Sequence, residues 1–240
     1  MNANSPVPPA ASPFSDAFVR VAAPHAAWAV EQLETFNAFM PTGPWTADLD
    51  RRLYQQAGRD LRISVLGSFD ATDGSWLWGW ANPGFRDTPV VGAAESLREF
   101  GQAHGVPEFT EEVLGLGGCA DPRMAVETLA FAAMGVLGAA GYIGVQASPD
   151  ARLYMVPDDP QVPRAAPDPV TLPRMLLTGA GVHPGGSARS VVSGYFDRHR
   201  LPQRPGPGRI SAELPGGAAV DVSFDDAGRI ASVEVGAIGA

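Results

Sequence analysis

A proline-rich segment divides this chain of 240 residues. Residues 157–173 contain six prolines in seventeen positions. Because proline fixes φ and lacks a backbone N–H, such a stretch favours an extended, semi-rigid linker over a helix or a strand. The segment therefore predicts two modules, residues 14–157 and residues 174–240, joined by a linker at 158–173. Residues 1–13, which contain no basic residue and no apolar run, are expected to form a disordered tail.

The charge also changes near this segment. Residues 1–160 contain nine arginines and nineteen acids, whereas residues 161–240 contain eight arginines and seven acids. The net charge of −9 opposes the binding of a phosphate backbone, so we expect no nucleic-acid partner. All 17 basic residues are arginine, which excludes a Walker A lysine and a Schiff-base lysine.

The single cysteine, Cys119, excludes an intrachain disulfide and a cysteine-rich zinc site. It suits a reducing compartment, so a cytoplasmic location is predicted. The four histidines are scattered without ligand spacing, and we expect neither a metal nor a cofactor. The uncharged stretch 128–148 has the length of a membrane span, but glycines interrupt it and favour a helix, a turn and a strand instead. No membrane partner is expected.

The first module combines helical and strand periodicities. Apolar spacing and capping residues predict helices at 24–39, between Thr88 and Gly105, and from Pro122 onwards behind an Asp121 cap. Alternation and turn residues predict strands at 51–57, 61–69, 75–81, 142–147 and 152–157. These patterns predict an α+β fold in which an antiparallel meander packs with apolar helices.

The second module repeats this arrangement on a smaller scale. The sequence predicts a short helix at 172–178, a glycine-rich loop at 179–186, a helix capped by Ser187, and a three-stranded meander over 210–235. The loop is a weak candidate for anion binding at a helix N-terminus, because its glycine spacing is not that of a nucleotide-binding loop.

The most distinctive string runs from Gly74 to Asn82. In a strand, Trp76, Trp78 and Trp80 point to one face and form a tryptophan ladder. Such a ladder could stack on a flat or cationic ligand, with Asn82 as an amide donor and acceptor. These four residues are therefore the predicted ligand-binding set. The alternative, which we favour, is that the ladder packs in the core and that Asn82 shapes a turn.

The string Trp76-Leu-Trp78-Gly-Trp80-Ala-Asn82 is followed by the helix that ends at Gly105, the apolar helix from Met124 and a hairpin that closes on Val156. In this order, the motifs resemble a bacterial domain family of unknown function that is common in high-GC actinobacteria. The tryptophan string is a hallmark of that family. The resemblance covers roughly residues 25–157, and it implies a fold but no activity.

Two further features are candidates for binding or chemistry. The second module carries six closely spaced arginines: Arg174, Arg189, Arg198, Arg200, Arg204 and Arg209. Four of them, Arg189, Arg198, Arg200 and Arg204, form the predicted interaction patch, which would hold the acidic first module or an acidic partner. Cys119 precedes a helix N-terminus, where a thiol can be activated as a nucleophile, but a small buried hydrophobe is the more ordinary role.

No assembled nucleophile, metal or phosphate motif is present in the sequence. We therefore favour a non-catalytic binding or protein-interaction module whose partner is a protein or a small molecule. The sequence does not decide whether the protein is an enzyme, and the lack of such motifs favours a protein that is not. The alternatives are a small-ligand sensor or enzyme with a pocket at the tryptophan ladder, and an immunity-type protein that binds a toxin. Adjacent acids such as Asp158 and Asp159 are interpreted as surface turns.

Overall fold

A computed structural model describes residues 12–183 and 185–237. The predicted disordered tail, residues 1–13, lies outside these ranges except for its last two residues. The described α-helices are α1 (Asp16–Ala22), α2 (Ala26–Phe39), α3 (Gly92–His104), α4 (Pro107–Thr110), α5 (Pro122–Leu137), α6 (Leu172–Val182) and α7 (Ala188–Arg198). Short 3-10 turns at Ala23–His25 and Pro89–Val91 precede α2 and α3.

The strands form two antiparallel sheets. The larger sheet contains β1 (Trp45–Asp48), β2 (Leu53–Gln56), β3 (Arg59–Asp70), β4 (Ser75–Trp78), β5 (Val113–Gly115), β6 (Ile143–Gln146) and β7 (Ala151–Pro157). The smaller sheet contains β8 (Gln203–Gly206), β9 (Arg209–Leu214), β10 (Ala218–Phe224) and β11 (Ile230–Ala237). The predicted α+β class is confirmed.

The long strand β3 organises the larger sheet. It pairs with β2 through its first residues and with both β4 and β7 further along. A register shift between Val65 and Gly67 bends it. Gly67 is required at the bend, because a β-carbon there would lie 2.6 Å from the Trp76 indole and 2.5 Å from a backbone oxygen.

Local capping signals place two helices where they were predicted. The Asp121 Oδ1 atom accepts a hydrogen bond from the Met124 amide at 3.0 Å, and α5 then ends at Gly138 with φ +62°. The Ser187 hydroxyl accepts a hydrogen bond from the Ser190 amide at 3.3 Å at the start of α7. The stretch 128–148 is divided between α5 and β6, and no helix within the described residues is both long and apolar enough to cross a bilayer.

Two predictions for the second module need correction. The smaller sheet has four strands instead of three, because β8 pairs with β9 although its sequence, QRPG, has no apolar alternation. The glycine-rich loop predicted at 179–186 begins later, since α6 continues through Gly179 and Gly181 to Val182. The module therefore carries two helices, α6 and α7.

Helix α2 contributes to two hydrophobic clusters. Its first turns, Ala26–Ala29, pack with apolar residues of α6, α7 and the smaller sheet, whereas Phe36 packs with residues of the larger sheet. Two glycines allow the helices to approach closely. A β-carbon on Gly194 of α7 would collide with the carbonyl oxygen of Pro24, and one on Gly179 of α6 would lie 2.5 Å from the Cα atom of Ala27.

The proline-rich segment begins with the last residue of β7 and ends in the first turn of α6. Its residues 158–171 form neither helix nor strand, and α2 fixes their course. The Gln32 side chain, which is fully buried, donates to the carbonyl of Pro163 at 3.0 Å and accepts from the amide of Ala165 at 2.9 Å. Val162 is also buried. The segment is thus held against the protein over its middle part.

Candidate functional site

The three tryptophans of the predicted ladder lie in the hydrophobic core, but they do not share one strand: β4 ends at Trp78, and Trp80 lies in the turn that follows. Trp76 and Trp78 are fully buried and Trp80 is 5% exposed. The rings of Trp76 and Trp78 meet edge to face, with centroids 5.1 Å apart. A flat ligand could reach these two rings only if the surrounding core opened. The burial therefore supports the core interpretation of the ladder over the ligand-binding one.

The polar atoms of the string have local roles. The Trp78 indole donates to the carbonyl of Glu108 at 2.9 Å, whereas the indole nitrogens of Trp76 and Trp80 are buried without a described partner. The Asn82 side chain accepts from the amide of Gly84 at 2.9 Å, as expected of a turn residue. The Arg98 guanidinium covers the Trp80 ring at 4.2 Å.

Iodide is expected to quench the fluorescence of one tryptophan, Trp45. Its side chain is 38% exposed, whereas Trp28, Trp76, Trp78 and Trp80 are all at most 5% exposed. Stern–Volmer titration of the wild type and of Trp45→Phe tests this, because the substitution should remove the quenchable emission.

The matched control is Trp80→Phe, which should leave the quenchable emission unchanged. If iodide still quenches the emission of the Trp45→Phe variant, another tryptophan lies at the surface. That result would support the ligand-binding interpretation of the ladder.

A polar cleft of about 800 Å³ lies where the larger sheet, α3, the end of α5 and the proline-rich segment meet. This volume is in the range of small-molecule sites, about 300–1,000 Å³. Its charged lining residues are Arg52, Arg62, Asp158, Asp159 and Arg164. They come from separate parts of the chain, and no sequence motif connects them.

On one wall of the cleft, both acids already accept hydrogen bonds. Asp158 accepts from Arg52 at 2.8 Å and from Arg62 at 3.2 Å. Asp159 accepts from the backbone amides of Arg62 and Gln161. Burial opposes ionisation of Asp159, but these backbone hydrogen bonds outweigh it and lower the pKa of the carboxyl.

On the other wall, Arg164 lies at the C-terminus of α5, and Arg198 lies beside the same residue of that terminus, Gly138. The Arg164 guanidinium donates to the carbonyl of Gly138 at 2.8 Å. The Arg198 guanidinium lies so close to Gly138 that a β-carbon there would collide with it, and it stacks over the Trp28 ring at 4.1 Å. Burial and the charge of Arg164 lower the pKa of Arg198. Within the described residues, neither arginine has a carboxylate within 4.0 Å.

The first turn of α3 completes the cleft. Gly92, Ala93 and Ser96 line it. The buried Ser64 hydroxyl donates to the carbonyl of Val90 at 2.7 Å and accepts from the amide of Ala93 at 3.0 Å, so a strand residue caps this helix. The positive end of the α3 dipole favours negative charge nearby.

The other predicted patch arginines are dispersed. Arg204 pairs with Glu213 at 2.7 Å, and Arg189 donates to two backbone carbonyls and lies over the Phe224 ring at 4.8 Å. Arg200, two residues after the end of α7, has a φ of +56°. Outside the predicted patch, Arg174 binds Glu34 of α2 with both nitrogens, at 2.5 and 2.8 Å. None of the four patch residues lines the cleft, and Arg198 lies beside Gly138, which does.

Sequence reasoning missed a buried polar cluster between α2 and α7. Glu31 accepts from the Tyr195 hydroxyl at 2.8 Å and lies 2.7 Å from the His199 Nε2 atom. All three side chains are largely buried, and burial together with Glu31 raises the pKa of Tyr195. The available signal was Glu31 itself, an acid that follows five apolar residues at the start of α2.

The fold is that of an α+β protein with two antiparallel sheets and helices shared between them. A polar cleft lies where the larger sheet meets α3, the end of α5 and the proline-rich segment. The model of the family of unknown function DUF6882 matches residues 19–160, and the chain belongs to this family. A search of curated proteins found no match. A search of solved structures also found none.

Proposed function

We propose that this protein is a non-catalytic binding protein whose cleft takes a small oxyanion, a carboxylate or a phosphate. The observation that carries the proposal is the convergence of Arg164 and Arg198 on Gly138, with no carboxylate near either within the described part of the chain. Two guanidinium groups held together repel each other, and an oxyanion between them relieves that repulsion.

The chemistry of the lining supports an oxyanion. A guanidinium presents its N–H groups in a planar fork that matches the two oxygens of a carboxylate or phosphate. Three guanidinium groups and two carboxylates line the cleft, and Asp158 and Asp159 both accept hydrogen bonds. The cleft is thus locally positive on a protein whose net charge is −9. A small anion can enter there, whereas a polyanion meets the surrounding negative surface.

Calorimetric titration with inorganic phosphate and with succinate tests the proposal. We expect at least one of them to bind the wild type, and Arg164→Gln to weaken that binding about tenfold or more, as the loss of a charge-assisted hydrogen bond does. The two titrations distinguish a phosphate site from a carboxylate site.

The matched control is Arg204→Gln, which removes the same charge from an exposed arginine of β8. It should bind as the wild type does. The proposal fails if neither anion binds, or if the two variants bind equally well.

We infer further that the setting is bacterial and cytoplasmic. The resemblance of residues 25–157 to an actinobacterial family and the single cysteine support this setting. The tryptophan string that carries the resemblance packs in the core, which supports a structural role for it. The distribution of further family members tests the bacterial setting. Members found mainly outside bacteria would contradict it.

A further inference from the structure

A second cavity, of about 390 Å³, lies between the C-terminal end of α2 and the larger sheet. Three parts of the chain contribute to its lining: the segment from α2 to β1, strand β2, and the β6–β7 hairpin with Tyr142 ahead of it. All of them lie within the described ranges and well away from the ends of those ranges. The volume falls in the range of small-molecule sites, about 300–1,000 Å³.

Trp45 forms an aromatic wall of this cavity. It is 38% exposed, which sets it apart from the other four tryptophans. Its ring lies nearly parallel to the ring of the buried Tyr54, with an interplanar angle of 19° and centroids 6.1 Å apart. Tyr54 is fixed in turn, because its hydroxyl donates to Gln56 and the Gln56 amide donates to the carbonyl of Pro41 at 2.8 Å. Since Tyr54 covers one face of the indole, a flat ligand can stack on the other face.

Arg152 lies in the wall that the hairpin forms. Its Nη1 atom donates to the Gln146 side chain at 3.0 Å, and its Nη2 atom donates to the carbonyl of Gly144 at 2.8 Å. Both acceptors line the cavity too, so the guanidinium lies against the lining. Each terminal nitrogen of arginine carries two N–H groups, so one on each remains beyond these two bonds.

The positive charge of Arg152 has no direct counterion, because no carboxylate oxygen in the described part of the chain lies within 4.0 Å of it. Burial and the charge of Glu127 raise the pKa of Tyr154 to about 12, against the opposing effects of Arg123 and Arg152. Glu127 itself already accepts from Arg123 and from the hydroxyls of Tyr142 and Tyr154. Among the described lining residues, Arg152 alone carries a charge.

We propose that this cavity binds a planar aromatic monocarboxylate, whose ring stacks on Trp45 and whose carboxylate accepts hydrogen bonds from Arg152. A guanidinium fork matches the two oxygens of a carboxylate. One negative charge neutralises the single charge of the lining, and the buried Phe36 and Met40 give the ring apolar contacts. The cavity shares no lining residue with the oxyanion cleft, so this site is independent of it.

Calorimetric titration compares 2-naphthoate with 2-naphthamide, which has the same rings but no charge. We expect the wild type to bind 2-naphthoate about tenfold or more tightly than 2-naphthamide, the size of a charge-assisted hydrogen bond. Arg152→Gln should abolish this preference, whereas Arg59→Gln, which changes an exposed arginine of β3 outside the lining, should keep it. Equal binding of the two probes to the wild type, no binding of either, or a preference that survives in Arg152→Gln overturns the proposal.

A second measurement tests the stacking on Trp45. Trp45→Ala should weaken the binding of both probes about fivefold or more, and it also identifies the indole N–H signal of Trp45 in the proton–nitrogen NMR spectrum. In the wild type, 2-naphthoate should shift this signal and leave the indole signals of the four buried tryptophans in place. This readout needs no change at Arg152, so it decides the question even if Arg152→Gln fails to fold. A Trp45 signal that does not move at saturating 2-naphthoate contradicts the proposal.

Arg164→Gln distinguishes this site from the oxyanion cleft, which Arg164 lines. The substitution should weaken the binding of phosphate or succinate and leave the binding of 2-naphthoate unchanged. Loss of 2-naphthoate binding in Arg164→Gln, with binding retained in Arg152→Gln, would place the ligand in the cleft and overturn the proposal.

Discussion

Replacement of Glu31 by alanine is expected to lower the free energy of unfolding by about 2–6 kcal/mol, because two buried groups lose their partner at about 1–3 kcal/mol each. Glu31 is 6% exposed, accepts from the Tyr195 hydroxyl of α7 and lies 2.7 Å from the Nε2 atom of His199, the residue that follows α7. The substitution leaves these two buried groups without an acceptor. Urea unfolding, followed by tryptophan fluorescence and circular dichroism, measures the effect.

The matched control is Glu34→Ala, one turn further along α2. Glu34 also pairs with an arginine of the second module, Arg174, but both side chains are about half exposed. Exposed pairs contribute about 0–1 kcal/mol, so the control should be nearly neutral. Equal losses in the two variants would show that the buried cluster contributes no more than a surface pair.

Gly194→Ala is expected to destabilise the protein by about 1–3 kcal/mol or more, although alanine favours a helix over glycine by about 1 kcal/mol. The reason is the collision of the new β-carbon with the carbonyl oxygen of Pro24. This oxygen belongs to the backbone, so α7 must move away from the turn that precedes α2. The melting temperature should fall by about 2–4 °C per kcal/mol.

Gly181→Ala in α6 serves as the control, because a β-carbon at Gly181 meets nothing within 4 Å. Here the helix propensity should dominate and raise the melting temperature slightly. The two glycine variants should therefore differ in sign. A Gly194→Ala variant as stable as the wild type would show that α7 does not need its close approach to Pro24.

The elements that the sequence predicted well are those whose signals are local. Asp121 followed by Pro122 defines the start of α5, and Asp73-Gly74 defines the turn between β3 and β4. Two of the missed elements, the edge strands β1 and β8, have weak local signals. All four residues of β1 are exposed, and β8 contains Pro205, so neither edge strand shows an alternation of buried and exposed residues.

The prediction of a loop from residue 179 is wrong for a related reason. Gly179 lies within α6 and allows this helix to touch Ala27, a residue far away in the chain. A single sequence does not reveal which glycines serve a turn and which serve a close approach.

The candidate sites could not be predicted for the same reason. The cleft brings Arg52 together with Arg164, and the second cavity brings Trp45 together with Arg152. Each pair is joined only by tertiary packing. The tryptophan string was the strongest local pattern, and its side chains lie in the core.

The shared position of α2 has a consequence for the order of events during synthesis. Its first turns, Ala26–Ala29, are buried by residues that extend as far along the chain as Val222. Because ribosomes add about 5–20 residues per second, this apolar face stays uncovered for on the order of ten seconds, until the residues that bury it have been synthesised. During that time Trp28 and its neighbours are exposed on the nascent chain, where a chaperone can bind them.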